Sequence, residues 1–177
     1  TGDSLFEQFA GQIERETKRY GQAVPWCIMT SPLNHESTVA FFEQHHHFGL
    51  DPSTVHFFTQ GVMPSVDRES GRVLLAAADA IAFNPDGHGG TLRALAGSGL
   101  LSNLRRQGIE HLSYFQVDNP LVRALDPVFL GLHIGDAVSS GEVTSKAVAK
   151  RSADEKVGVF GVQEGQLTVL EYSDLDP

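Results

Sequence analysis

Apolar positions recur at helical spacing near the start of the chain: Phe6, Phe9, Ala10 and Ile13 share one face. Ser4 and Glu7 stand at the spacing of a capping box, so residues 4–20 are predicted to form a helix. The pattern then changes. Pro25-Trp26-Cys27-Ile28-Met29-Thr30 is a short apolar run that predicts a buried strand. Ser31-Pro32-Leu33 predicts a turn. Asn34 is placed as the N-cap of a second helix running to about His47, with Gly49 ending it. Val55-His56-Phe57-Phe58-Thr59 predicts a second strand, and Gln60-Gly61 leaves its C-terminal end. Strand, helix and strand with short links favour a parallel pair.

Beyond residue 61 the pattern is less regular. Asp67 to Gly71 reads as a hairpin tip, with Arg72 to Ala76 as a pairing strand. Ala80-Ile81-Ala82-Phe83 reads as a strand that empties into Pro85-Asp86-Gly87-His88-Gly89-Gly90. Helical turns are predicted from Gly90 to about Ala96 and, after Gly97-Ser98-Gly99, from Leu100 to about Gln107. His111 to Val117 alternates and predicts a strand. Val128 to Ile134, Val143 to Val148, Val157 to Val162 and Gln166 to Tyr172 read as further strands, the last two as a hairpin about Gly165. The expected fold class is α/β: one three-layer domain with a mixed, mostly parallel sheet.

A glycine loop between a strand and a helix can hold a phosphate, because glycine permits close backbone approach and a helix start offers unpaired N–H groups. The same loop also arises for topological reasons alone. In open α/β sheets ligands collect at the C-terminal strand ends, where three candidates are expected: Gln60, the 85–90 loop and Asp118. Gln60 carries both donor and acceptor, suited to a nucleobase edge, or to nearby backbone. Asp118 suits a Mg²⁺ shared with substrate phosphates; alternatively, Asp118 or Asn119 caps a turn with Pro120 at its first helical position. His88 can donate to a phosphate or sugar oxygen or be simply solvated. Glu171, near the end of the last strand, can accept from sugar hydroxyls or be a surface carboxylate.

Composition narrows these readings. The 177 residues are 41% hydrophobic, which fits one folded core, and carry a net charge of −9. An acidic chain is a poor partner for a nucleic-acid backbone. Lys146, Lys150, Arg151 and Lys156 form a small basic cluster, which could neutralise phosphates or be a solvated face. The single cysteine, Cys27, excludes an internal disulfide. There is no apolar run of membrane-spanning length and no signal peptide, so a cytoplasmic location without membrane or nucleic-acid partners is expected. His45-His46-His47 is no metal site on a helix, where consecutive side chains do not share a face. The chain has no G-x-S-x-G, H-E-x-x-H, Walker A lysine pattern or cysteine pair, and Gly87-x-Gly89 does not extend to G-x-G-x-x-G, which disfavours a Rossmann dinucleotide site.

Taken together, Ile28-Met29-Thr30-Ser31, Phe41-Phe42, Phe48-Gly49-Leu50, Phe57-Phe58-Thr59-Gln60-Gly61 with Pro64, Pro85-Asp86-Gly87-His88-Gly89-Gly90 with Arg93-Ala94-Leu95, Val117-Asp118-Asn119, Asp126-Pro127-x-Phe129, and Val157-Gly158-Val159 leading to Glu171-Tyr172-Ser173 resemble the UDP-N-acetylhexosamine pyrophosphorylases, in order and over nearly the whole chain. The resemblance implies a Rossmann-like nucleotidyltransferase domain of the GT-A-like kind. It implies a uridylyltransferase that joins UTP to a sugar 1-phosphate with Mg²⁺, forming a UDP-sugar and pyrophosphate.

By resemblance, Gln60 reads uracil, the backbone of Gly87 contacts the uridine, and Asp118 binds both Mg²⁺ and the nucleotide as the catalytic residue. His88 stands at a substrate-contacting position where many members have asparagine, and Glu171 faces the sugar. The related UDP-glucose pyrophosphorylases have histidine in a matching Gly-His-Gly, so glucose 1-phosphate competes with N-acetylglucosamine 1-phosphate as the acceptor. The family's arginine-bearing glycine loop and Pro-Lys-Gly do not precede the first helix, nor do its downstream asparagine and lysine follow Pro177. A domain truncated at both ends with little turnover is therefore expected, and a non-catalytic nucleotide-binding module is the competing class.

Overall fold

The computed structural model describes residues 2–172. Two compact units divide at Pro127/Val128.

In the first unit, Ser4 caps helix α1 (Leu5–Tyr20), its hydroxyl accepting from the Glu7 N–H at 3.1 Å. The apolar face of α1 buries Phe9, Ala10 and Ile13. They join Trp26, Ile28, Phe42, Val55 and Ala124 in one core. Phe42 is fully buried, and its ring meets those of Phe6, Trp26, Phe48 and Phe57 at centroid distances of 5.0–5.5 Å. Burying such a ring contributes about 1.5–3 kcal/mol from transfer alone.

Strands β1 (Trp26–Thr30) and β2 (Val55–Thr59) pair in parallel, in register from Trp26↔Val55 to Thr30↔Thr59, as the strand–helix–strand pattern predicts. Burial raises the pKa of Cys27 on β1 above its ordinary value. Helix α2 (His35–Gln44) starts where predicted but ends short of His47. His46, His47 and Phe48 adopt positive φ of 51–54°, which leaves the helix before Gly49. Asn34 makes no side-chain cap: its Oδ1 turns back to accept from the N–H and hydroxyl of Ser31 at 2.7 and 3.0 Å.

Residues 61–85 form small antiparallel pairs. Strand β3 (Val62–Pro64) pairs with β6 (Phe83–Pro85), and β4 (Leu75–Ala77) pairs with β5 (Ala80–Ile81). The predicted tip at 67–71 is closed by the Asp67 N–H donating to the Arg72 carbonyl at 2.8 Å and the Gly71 N–H donating to the Asp67 carbonyl at 2.9 Å. The segment feeding the glycine loop therefore belongs to this antiparallel excursion, not to the parallel pair. Helices α3 (Thr91–Gly97) and α4 (Leu100–Arg106) follow as predicted.

Residues 111–117 join no sheet, against the strand predicted there. β propensity describes fit to a pleated surface, and among the described residues no sheet takes in this segment. Side chains hold it instead. Phe115 packs on Phe9 at 4.8 Å, and the Ser113 hydroxyl donates to the Ala124 carbonyl at 2.6 Å.

In the second unit, helix α5 (Pro127–Gly135), which begins at the boundary, replaces the strand predicted over 128–134. An apolar run of that length fits either element, and Pro127 at the first helical position favours the helix. Residues 143–148 are not a strand. The predicted hairpin forms from β7 (Val159–Gln163) and β8 (Gln166–Leu170). Glu164 and Gly165, both at positive φ, make the two-residue turn that matches strand twist. Ser173 of the Glu171-Tyr172-Ser173 motif lies outside the described residues. Among those described there is no large parallel sheet. Four two-stranded sheets are present and one of them is parallel, so the expectation of a mostly parallel sheet is corrected.

Candidate functional site

Because β1 and β2 run in parallel, both end on one edge, and Gln60 stands on it. Its N–H donates to the Thr30 carbonyl at 2.8 Å, extending the ladder one residue past the strand. Thr30 is itself fixed. Its buried hydroxyl donates to the Phe58 carbonyl at 3.2 Å, so the 2.8 Å contact with His35 must be donated by His35 Nδ1.

The 85–90 loop reaches the same edge. The Asp86 N–H donates to the Gly61 carbonyl at 3.0 Å. The loop then closes on itself: the Gly90 N–H donates to Gly87, and the Thr91 hydroxyl donates to His88 at 2.5 Å. Gly87 has φ 74° and ψ −174°, a conformation essentially confined to glycine.

A cleft of about 310 Å³ opens between these pieces, lined by Thr59, Gln60, Gly61, Asp86, Arg93, Ala94, Gly97 and Ser98. A half-buried amide, a carboxylate and a guanidinium thus line one small opening at the strand ends. Such a mixture can pair with both donors and acceptors of a polar ring and neutralise a nearby anion. Gly87 and His88 belong to the loop that frames the cleft but do not line it, and His88 is exposed. The residues that the sequence reading passed over are Asp86 and Arg93. Their signal was their place in the glycine stretch, which does not reveal that they face Gln60.

Asp118 is exposed in a turn after the unpaired 111–117 segment and does not line the cleft. Its neighbour Asn119 caps that turn, Oδ1 accepting from the Leu121 N–H at 3.2 Å. Gln12 of α1 holds the next residues: its amide donates to the Val122 carbonyl at 3.2 Å and accepts from the Ala124 N–H at 2.9 Å.

One exposed carboxylate is a partial ligand set. It suits a Mg²⁺ that keeps waters and binds substrate phosphates. Among the described residues no cluster of three or more His, Cys, Asp or Glu could cage a metal. Glu171 belongs to the second unit, where it is exposed beside Gly158. Of the basic cluster, Lys146 lies 4.8 Å from the Phe129 ring and the Lys150 ammonium donates to the Ala153 carbonyl; all four residues are exposed. No helix among the described residues is long and apolar enough to cross a membrane.

The profile of the family described as UTP–glucose-1-phosphate uridylyltransferase matches residues 1–177. The chain is 42% identical over 190 residues to UDP-N-acetylglucosamine diphosphorylase 2 of Arabidopsis thaliana, covering 99% of this chain and 37% of that protein. It is 37% identical over 153 residues to the UDP-N-acetylglucosamine pyrophosphorylase of Saccharomyces cerevisiae, covering 86% of this chain and 31% of that protein. The crystal structure of the uridine diphosphate N-acetylglucosamine pyrophosphorylase of Trypanosoma brucei, solved with an inhibitor, superposes with a TM-score of 0.83 at 32% identity. That match covers 98% of this chain and 36% of the other. The chain thus spans about a third of the length of the curated relatives it matches.

Proposed function

This chain belongs to the UTP–glucose-1-phosphate uridylyltransferase family, and on that footing we propose that the protein transfers a uridylyl group from UTP to N-acetylglucosamine 1-phosphate. A phosphate oxygen of the sugar phosphate attacks the α-phosphorus in line. The bond from that phosphorus to the bridging oxygen breaks, and pyrophosphate leaves with the electron pair. Catalysis of this kind rests on positioning and charge neutralisation.

The observation that carries the reading is the Gln60 amide lining a cleft with Asp86 and Arg93 at the parallel strand ends, beside the glycine loop. Gln60 pairs with the uracil edge, and the Gly87 backbone meets the uridine. His88 meets the sugar phosphate and Glu171 the sugar. Asp118 would hold Mg²⁺, which neutralises phosphate charge when bound. N-acetylglucosamine is favoured by the names of the Arabidopsis, yeast and trypanosome relatives. Glucose 1-phosphate is the second reading, favoured by His88 and by the family's description.

Pyrophosphate release by the product of the whole gene, with UTP, Mg²⁺ and each sugar phosphate in turn, tests the reading. Faster release with N-acetylglucosamine 1-phosphate is expected, together with loss of UTP binding in Gln60→Ala. A preference for glucose 1-phosphate would replace the first reading by the second, and no release with either sugar would sink both.

A further inference from the structure

We propose that Asp86 is a positioning residue for the nucleotide: its carboxylate is the wedge that sets the distance between the Gln60–Gly61 link and the glycine loop. The inference rests on the reading of the cleft as a uridine site.

Three observations converge on Asp86. Its N–H is bonded to the Gly61 carbonyl, tying the two segments at the backbone. Its carboxyl fills the space over two glycines. A methyl group built on Gly61 would stand 2.5 Å from Asp86 Oδ2, and one built on Gly90 would overlap the same carboxyl. Glycine at both positions is therefore a consequence of where the Asp86 side chain lies. Finally, Asp86 Oδ1 is buried with no hydrogen-bond partner. An unpartnered buried carboxylate oxygen is unfavourable, and features held against such a cost concentrate at functional sites.

The shape of the wedge explains what it does. Gln60 precedes Gly61, and Gly87 and His88 lie between Asp86 and Gly90. One planar group thus spaces the amide that faces the cleft from the loop that frames it. Arg93, in the first turn of the following helix, lines the cleft with Gln60 and Asp86. Asp86 Oδ1 is closed off from solvent, so this oxygen acts on the neighbouring segments rather than on the ligand.

Calorimetric titration of the product of the whole gene with UTP and with CTP, in the presence of Mg²⁺, tests the inference. Base preference is the deciding readout, because general loosening of the fold weakens both nucleotides alike. The parent is expected to prefer UTP. Asp86→Ala is expected to weaken UTP by about tenfold and bring the UTP/CTP ratio toward one, whereas Asp86→Asn, with the same shape, stays within about threefold of the parent. Gly61→Ala is expected to lose UTP affinity, and adding Asp86→Ala to it to restore part of that loss. If Asp86→Ala does not fold, Asp86→Glu against Asp86→Asn decides: loss in the longer side chain and retention in the isosteric one support the wedge. An unchanged UTP/CTP ratio in Asp86→Ala, or Asn and Glu variants both equal to the parent, overturns the role of Asp86 alone. A parent with no preference for UTP overturns the uridine reading, and the inference with it.

Discussion

The Gln60 N–H reaches the Thr30 carbonyl at 2.8 Å, so the residue facing the cleft is held by the last residue of the neighbouring parallel strand. Thr30 is held in turn by its hydroxyl, which is hydrogen-bonded to both Phe58 and His35. Replacing Thr30 by Val removes the hydroxyl while keeping the shape, and leaves the Phe58 carbonyl without that donor and His35 Nδ1 without that acceptor. Urea denaturation is expected to show a loss of about 1–3 kcal/mol. UTP affinity is expected to fall as well, because the anchor of Gln60 loosens. A variant as stable as the parent would show that this network does not support the strand ends.

Gln12 holds the segment that follows Asp118 by two hydrogen bonds over a long span of chain. Gln12→Ala leaves a part-buried carbonyl and N–H unpaired, and is expected to cost about 1–3 kcal/mol in equilibrium unfolding. Hydrogen exchange at Ala124 should accelerate in the variant. Exchange at the parent rate would place the restraint elsewhere, on the Phe9–Phe115 contact.

Two glycines of one loop should respond differently. At Gly87 there is open space for a methyl group, but φ is 74°. Gly87→Ala is therefore expected to cost on the order of 1–3 kcal/mol through backbone strain alone. Gly89 has the same open space without a positive φ, and Gly89→Ala should leave the unfolding midpoint near that of the parent. Equal effects at the two positions would refute the strain argument.

The hairpin tip supplies a pH test. The Ser70 hydroxyl and N–H bond the Asp67 carboxylate at 2.6 and 2.8 Å and hold its pKa below the ordinary carboxylate value. A carboxyl whose folded pKa lies below its unfolded one contributes stability above the unfolded value. That contribution is lost as pH falls through the folded value. The urea-midpoint difference between the parent and Asp67→Ala is thus expected to be constant near neutrality and to shrink below about pH 4. A difference that instead grows on acidification would contradict the assignment.

Much of the architecture was legible in the chain because its signals are local. Ser4 and the Phe9, Ala10, Ile13 face specify α1 within sixteen residues. Two short apolar runs flanking a helix specify a parallel pair, and Glu164-Gly165 specifies a hairpin. Ambiguity began where one pattern fits two elements, as at 128–134, or where an alternating segment needs a partner that the fold does not supply, as at 111–117. The position of Gln60 at the strand edge was legible for the same reason as the strands.

What only the tertiary structure decided are relations between residues far apart in sequence. Gln12 reaches across to Val122 and Ala124, and Asp86 wedges between Gly61 and Gly90. Residue type alone marks Asp86 as a loop carboxylate. Its burial, its unpartnered oxygen and its place facing Gln60 arise only when the antiparallel excursion of residues 61–85 folds back and delivers the loop to the end of β2. Short-range periodicity determines which elements form, whereas packing between them determines which polar groups meet.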